Sequence, residues 1–200
     1  MTSFLSRSRA VPAWMHEFLG ERTTYADCSL ALVFGFAFPV ILALVFPSDF
    51  AVMGGWRRVL FCVSAADIAA GAVANTSPGT EAHHYGKSLA FRHVFVTIHF
   101  LHLIGVGYPL ADAPGVFEFL VKTYGLTLMS AVVVLNAGRV QRPVAMAALT
   151  VAVPLLLVGD CGRDILRPIA LVFVMKLVLS YSVAHQQPAD VSSRQSALKR

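Results

Sequence analysis

Charged side chains are scarce in this 200-residue sequence. Eleven are acidic and sixteen are basic, so that 14% of the residues carry a charge, whereas a soluble domain usually has about a quarter. So few charges cannot cover the surface of a water-soluble globule, which excludes an ordinary soluble fold. The hydrophobic fraction of 56% and the mean hydropathy of +0.68 also exclude an intrinsically disordered chain. The remaining class is an integral membrane protein.

Cysteine is equally scarce, and its placement excludes two further classes of protein. The three cysteines, Cys28, Cys62 and Cys161, stand far apart without a CxxC spacing, so neither a disulfide framework nor a zinc site is indicated. The net charge of +5 does not predict nucleic-acid binding, because the basic residues are scattered among apolar segments and form no stripe. The expected partner is the lipid bilayer, whose anionic headgroups attract such residues.

Long apolar runs are what the sequence does contain, and each is close to the roughly 20 residues that cross a bilayer as a helix. We predict an all-α fold, a polytopic integral membrane protein with a bundle of six transmembrane helices in residues 28–184. The six segments run over residues 28–46, 56–75, 88–110, 116–137, 143–158 and 165–184. The expected location is an integral, multi-pass position in a membrane, the plasma membrane if the source is prokaryotic.

Both ends of the chain are predicted to lie in the cytoplasm. With the N-terminus inside, most Lys and Arg of the loops fall on the inner side, and an even number of spans returns the C-terminus there. Residues 1–27 are interpreted as a cytoplasmic segment with a short amphipathic helix on the headgroup layer, and residues 185–200 as a disordered tail. The apolar face of that helix consists of Trp14, Met15, Phe18 and Leu19.

Asp67 is the most informative single residue, since it lies near the middle of the second segment. A carboxylate at the centre of a bilayer costs about 2.5–3.5 kcal/mol on insertion scales, so such residues usually face the bundle interior and are functional. The neighbouring sequence SAADIAAGAVAN consists almost entirely of small residues, which allow close helix contact in lipid. We therefore expect a central helix in which Asp67 is a catalytic general acid or base.

Histidines and an arginine in the third segment are expected to assist Asp67. His99 and His102 are three positions apart, and Arg92 precedes His99 by seven, so that all three lie near one side of a helix. We assign His99 and His102 catalytic roles, and we assign Arg92 to a polar or phosphorylated headgroup of the substrate. A metal site with both histidines and Asp67 is an alternative, but HxxH is a loose pattern, so no metal ligand is assigned and the cofactor stays unknown.

The loop NTSPGTEAHHYGK between the second and third segments is the most polar part of the folded body. It joins the helices that carry Asp67 and His99, so its side chains can line the mouth of a cavity between those helices. Pro78 and Gly79 are interpreted as its turn. The alternative is an ordinary solvated connector. The candidate substrate-binding residues of this loop are Asn75, His83, His84 and Tyr85.

Lys176 lies at the centre of the sixth segment, too deep to reach an interface, and therefore needs a partner. Asp67 is the only acid predicted at a similar depth, which makes the two a natural pair. We also count Lys176 among the candidate substrate-binding residues. A pair sealed from any cavity would favour a structural role, and an open cavity between the second and third segments would favour catalysis.

Three functions are compatible with these residues. The first is a membrane-embedded enzyme that acts on a lipophilic small molecule or lipid, with Asp67 as general acid or base. The second is a small proton-coupled transporter, in which Asp67 and His99 relay protons. The third is a non-catalytic accessory or assembly protein, in which the polar residues only fix helix packing. The oligomeric state and the substrate stay open.

Overall fold

Residues 7–184 are described by the computed structural model, and they are mainly helical. The α-helices are α1 (His16–Leu19), α2 (Tyr25–Val45), α3 (Pro47–Ala51), α4 (Gly55–Ala74), α5 (Pro78–Tyr85), α6 (Leu89–Ile98), α7 (Phe100–Gly107), α8 (Val116–Leu135), α9 (Gln141–Leu157) and α10 (Leu166–Val174). Short 3-10 turns cover Ala13–Met15, Tyr108–Leu110 and Gly138–Val140, and Met175–Tyr181 is a π-helix that continues α10. The predicted tail 185–200 lies outside the described residues.

Four helical stretches are long and apolar enough to cross a membrane. They are α2, the stretch Leu89–Leu110 that contains α6 and α7, α8, and the stretch Gly138–Leu157 that contains α9. A fifth arises if α4 and α5, which bend by 89° at their junction, count as one span. The chain is thus a mainly helical protein with several candidate membrane spans, as predicted, whereas six spans with cytoplasmic termini stay a prediction.

The sixth predicted segment forms α10 and the π-helix, which together are shorter than a typical span. Its two parts have nine and seven residues, fewer than the roughly 20 that a bilayer requires. Both are largely buried, so this segment forms the interior of the bundle, where α4, α8 and α9 contact it.

Small residues place α4 at the centre of the bundle. A Cβ atom on Gly35 of α2 would lie 2.9 Å from the Cβ of Ala70, and one on Gly105 of α7 would lie 2.9 Å from the Cβ of Ser64 and closer still to its Oγ. Glycine at these two positions therefore allows α2 and α7 to approach α4 from different sides. The expectation of a central second helix agrees with this packing.

The polar loop between the second and third segments is a helix, α5, and the interpretation of Pro78 and Gly79 as a turn is wrong. The Ser77 side chain accepts a hydrogen bond from the backbone N–H of Thr80 at 3.4 Å, and Pro78 occupies the first turn. Serine at the N-cap followed by proline is a helix-start signal, which the turn interpretation overlooked. Because α5 is bent by 89° from α4, it lies across the end of the bundle.

The N-terminal segment packs against α5 as a hairpin. Strands β1 (Ser8–Ala10) and β2 (Arg22–Thr24) pair antiparallel, and between them the chain forms α1 and the preceding 3-10 turn. A Cβ atom on Gly20 would overlap the carbonyl oxygen of Gly79, so the two backbones touch. The helix predicted to lie on the headgroup layer is short, since it consists of the 3-10 turn and the four residues of α1. Of its predicted apolar face, Leu19 is buried against the bundle and Trp14 is exposed. The two strands were not predicted, because a strand of three residues is too short to show an alternation of apolar and polar side chains.

Candidate functional site

Asp67 of α4 and Lys176 of the π-helix form an ion pair inside the bundle. The Lys176 Nζ donates to Oδ2 of Asp67 at 2.9 Å and to the backbone oxygen of the same residue at 3.2 Å. Only 4% of Lys176 is exposed. The pairing considered from the sequence is thus present, and it satisfies a cation that could not reach an interface.

His102 of α7 is a second partner of the same carboxylate oxygen. Its Nε2 contacts Asp67 Oδ2, and its Nδ1 lies 3.3 Å from the backbone oxygen of His99. A carboxylate oxygen only accepts hydrogen bonds, so the His102 Nε2 carries the hydrogen in this contact. One oxygen atom therefore receives donors from two helices, and we call Asp67, His102 and Lys176 the acid–base triad.

Gly71 makes room for the lysine of the triad. It follows Asp67 by one helical turn, so both face the same neighbour. A Cβ atom at Gly71 would lie 2.7 Å from the Lys176 Nζ and closer still to its Cε. The lysine side chain therefore lies across the bare backbone of Gly71 on its way to the carboxylate.

The π-helix sets the direction of the lysine side chain. The Ser182 backbone N–H donates to the oxygen of Leu177 at 3.1 Å, which is the i to i−5 pattern of a π-helix. Residues five apart then lie about one turn apart, so Lys176 and Tyr181 face the same side. In an α-helix the two would point in different directions. Such segments are rare and occur frequently at functional sites.

His99 lies beside the triad without touching Asp67. It stands at the break between α6 and α7, where its Nδ1 donates to the Phe95 backbone oxygen at 2.6 Å. Its ring stacks on that of His102 with centroids 4.8 Å apart and an interplanar angle of 18°. The two histidines predicted to act together are thus adjacent, but only His102 is placed for direct proton exchange with Asp67.

An apolar groove of about 190 Å³ opens beside Asp67, and the Asp67 side chain is 36% exposed. The groove lies between α2 and α4, and not between the second and third segments, where an open cavity was to favour catalysis. On the other side of α4, the close contact of Gly105 with Ser64 brings α7 directly against the helix. The residues that line the groove are Phe18, Leu32, Gly35, Phe36, Ala66, Asp67 and Ala70.

A second polar cluster lies at the α5 end of the bundle. The Tyr85 hydroxyl lies 3.0 Å from Oε1 of Gln141 and 2.9 Å from the backbone oxygen of Ser182, and these two acceptors share its single hydrogen. The Arg92 guanidinium stacks over the Tyr85 ring, 3.9 Å from the centroid. Arg92 is only 8% exposed, so this cation is buried against an aromatic ring.

Aromatic rings connect this second cluster to the triad. Phe95 stacks on Tyr181 at 4.5 Å and 16°, and it also contacts His99 at 4.4 Å. His84 in turn contacts Tyr181 at 5.0 Å. One continuous layer therefore runs from α5 along α6 and α7, and it contains the predicted residues Tyr85, His84, Arg92, His99 and His102.

His83 has a different position from the one predicted. Its Nε2 lies 3.1 Å from Glu17 Oε1, and Lys87 Nζ lies 3.6 Å from the same oxygen. Burial raises the pKa of Glu17, but the bond to His83 and the charges of His83, His84 and Lys87 hold it below its usual value. His83 thus fastens the N-terminal segment to α5 rather than lining the apolar groove.

His84 and Asn75 are both buried at the same end of the bundle. Burial lowers the pKa of His84 to about 4, so the ring is neutral at pH 7. Asn75 is the C-cap residue of α4, and its Nδ2 has no hydrogen-bond partner among the described residues. Neither side chain lines the groove beside Asp67.

Several residues of these clusters were missed at the sequence level, namely Gly71, Gln141, Tyr181 and Ser182. The spacing of Lys176 and Tyr181 gives no signal unless a π-helix is assumed. Within residues 7–184, no group of three His, Cys, Asp or Glu side chains is arranged to hold a metal ion. Comparison of this chain with known proteins gives no further assignment, since no protein-family model, no curated protein and no solved structure matches it.

Proposed function

We propose that this chain is a membrane-embedded enzyme that acts on a lipophilic small molecule or lipid by proton transfer at Asp67. The observation that carries the proposal is a carboxylate bound by an imidazole and an ammonium group on one side and exposed to an apolar groove on the other. A purely structural ion pair needs no such opening. A substrate dissolved in the bilayer can enter this groove past Leu32 and Phe36, which are exposed on α2.

The contacts of the triad indicate the role of each side chain in proton transfer. Lys176 and His102 both use Oδ2 of Asp67, which leaves Oδ1 as the oxygen that exchanges a proton with the substrate. Oδ1 takes a proton from the substrate and returns it to the product, while the Nε2–H of His102 and the ammonium group of Lys176 hold the carboxylate through Oδ2. General acid–base catalysis of this kind contributes about 10²–10⁴-fold to a rate.

The test is conversion of a lipophilic compound by purified protein in lipid nanodiscs. The nanodiscs contain a total lipid extract of the source membranes, and mass spectrometry follows every component over time. We expect one component to be consumed by the wild type and by Asp112→Asn, whose carboxylate is exposed on the surface. Asp67→Asn should slow this consumption about 100-fold or more. Equal consumption by Asp67→Asn and the wild type would contradict the proposal.

Access through the groove is tested separately. Leu32→Trp fills the groove while all three side chains of the triad are retained, and Leu44→Trp adds the same bulk to an exposed position of α2 outside the groove. We expect Leu32→Trp to lose conversion and Leu44→Trp to retain it, with equal unfolding temperatures. Unchanged conversion by Leu32→Trp would show that the substrate does not use this groove.

Proton-coupled transport is a second candidate, favoured by the stacked rings of His99 and His102. These rings continue from Asp67 toward the α5 end of the bundle, as a proton relay would. Acidification of the lumen of reconstituted vesicles distinguishes the two functions. Transport predicts a proton flux that Asp67→Asn abolishes, whereas the enzyme predicts no flux. If the wild type shows neither conversion nor proton flux, and Asp67→Asn only lowers stability, the protein is an accessory protein.

A further inference from the structure

The guanidinium of Arg92 presents a complete, unused hydrogen-bonding edge. Its Nε and Nη2 have no hydrogen-bond acceptor among the described residues, although both atoms are buried. These two nitrogen atoms point the same way in the plane of the group and form the fork that binds oxyanions with two parallel hydrogen bonds. A buried cation without such a partner is unfavourable. An acidic ligand would therefore gain from binding at this edge.

The position of this edge is fixed before any ligand binds. The Tyr85 ring lies under the guanidinium at 3.9 Å, and its hydroxyl is held by Gln141 and by the Ser182 backbone oxygen. Arg57 provides a contrast within the same chain. It also lies over a tyrosine ring, that of Tyr108 at 5.6 Å, but its Nη1 donates to Asp112 at 2.7 Å.

Tyr181 supplies a third donor in the same region. Its hydroxyl oxygen is buried and has no partner among the described residues, and the residue is only 2% exposed. Its ring is held by stacking on Phe95. Tyr181 is close to Arg92 in the bundle, because the Tyr85 hydroxyl contacts the backbone oxygen of the adjacent Ser182 and Phe95, three residues after Arg92, stacks on Tyr181.

We propose that Arg92 and Tyr181 bind a phosphate group, carried either by a lipid headgroup or by free inorganic phosphate. Two donors from Arg92 and one from Tyr181 match the three terminal oxygens of a phosphate monoester, whereas a carboxylate offers only two. Glu81 lies one turn before Tyr85, and its negative charge acts on the Tyr85 hydroxyl. Glu81→Gln should therefore raise the affinity for an anion.

This site extends the proposed function, on which its role as part of a substrate site rests. Arg92 precedes His99 by seven residues, about 10 Å along the helix. The apolar part of an amphiphilic substrate with its phosphate at Arg92 would thus extend toward the His102 side of the triad. Binding itself is measured without turnover, so the two proposals fail separately.

The experiment compares the binding of dioctanoyl phosphatidic acid and dioctanoylglycerol to the full-length protein in detergent. The two probes share their acyl chains and differ in the phosphate monoester. We expect the wild type to bind phosphatidic acid at least tenfold more tightly. Arg92→Gln should abolish this preference, and Arg57→Gln should leave it intact. Asp67→Asn should bind like the wild type even if it converts nothing.

If Arg92→Gln fails to fold, Tyr181→Phe tests the site instead. It removes only a hydroxyl group that has no partner, so the unfolding temperature should not fall, while the affinity for phosphatidic acid should fall several-fold. A wild type that binds both probes alike would overturn the proposal, as would affinities unaffected by Arg92→Gln and Tyr181→Phe.

Two further probes identify the source of the phosphate. Inorganic phosphate that displaces phosphatidic acid at similar concentration would support the site and assign it to the free ion. Displacement only by phosphatidic acid would support it and assign it to a lipid headgroup. Octanoate that binds as tightly as phosphatidic acid would overturn the phosphate assignment in favour of a carboxylate.

Discussion

Gly71→Ala adds one methyl group at the point where the lysine of the triad crosses α4. The new Cβ would lie 2.7 Å from the Lys176 Nζ, so the ammonium group has to move. The movement itself is easy, because it involves the end of a flexible side chain. It nevertheless breaks the hydrogen bonds of 2.9 and 3.2 Å to Asp67 and leaves a buried cation without its acceptors.

The expected loss follows from two opposing terms. Breaking a buried ion pair by displacing one partner destabilises a protein by about 3–5 kcal/mol. Alanine is favoured over glycine in the interior of a helix by about 1 kcal/mol. We therefore expect Gly71→Ala to lower the free energy of unfolding by about 2–4 kcal/mol.

The assay is unfolding of the purified protein in mixed micelles by increasing SDS, followed by circular dichroism. Gly125→Ala is the matched control, because a Cβ at this helical position has nothing within 4 Å. It should be neutral or stabilising by up to about 1 kcal/mol. The Gly71→Ala substitution should also lose most of its effect in a Lys176→Ala background, since the side chain that it displaces is then absent. If Gly71→Ala is as stable as Gly125→Ala, or if its cost is the same without the lysine, the reasoning is refuted.

Two further predictions concern the ends of the bundle. Asp49 is buried and accepts hydrogen bonds from the Ile165 backbone N–H at 3.2 Å and from Arg163 at 3.4 Å. Asp49→Ala should therefore lower the free energy of unfolding by about 1–3 kcal/mol. Asp112→Ala removes the exposed ion pair with Arg57 and should lower it by at most about 1 kcal/mol. Equal losses in SDS titrations would contradict this difference. The pKa of His84 in the folded protein is about 4, against an ordinary value of 6.5. Between these two pH values the unfolded chain therefore binds more protons than the folded protein. The free energy of unfolding should fall by up to about 3 kcal/mol as the pH decreases from 6.5 to 4. The lowered pKa of Glu17 adds a loss below its ordinary value of 4.5. His84→Gln should flatten the decline between pH 6.5 and 4 in unfolding temperatures measured against pH, and an unchanged slope would exclude His84 as its cause.

The sequence predicts those features that depend on local composition or on scarcity. Long apolar runs predict membrane helices, because hydropathy over about 20 residues needs no tertiary information. The pairing of Asp67 with Lys176 follows from the lack of another acid at that depth in the predicted spans. The small residues around Asp67 correctly indicate a central helix, because close packing in lipid requires them.

Other features depend on contacts between distant segments. The groove lies on the α2 side of α4, and no pattern within α4 distinguishes this side from the side that α7 covers. Tyr181 joins the layer of Arg92 where the i to i−5 hydrogen bonds of the π-helix place it about one turn from Lys176. The helix α5 was detectable from Ser77 and Pro78, but the density of polar residues suggested a loop.

The central claim is the contact between His102 and the carboxylate of Asp67, and nitrogen NMR of histidine-labelled protein in bilayers tests it most directly. The His102 signal, identified by its loss in His102→Asn, should show a hydrogen-bearing Nε2 and should shift in Asp67→Asn. The signal of His93, whose Nε2 lies 3.3 Å from Asn136 Nδ2, should stay unchanged. A His102 signal that does not respond to Asp67→Asn would contradict the acid–base triad and the function proposed from it.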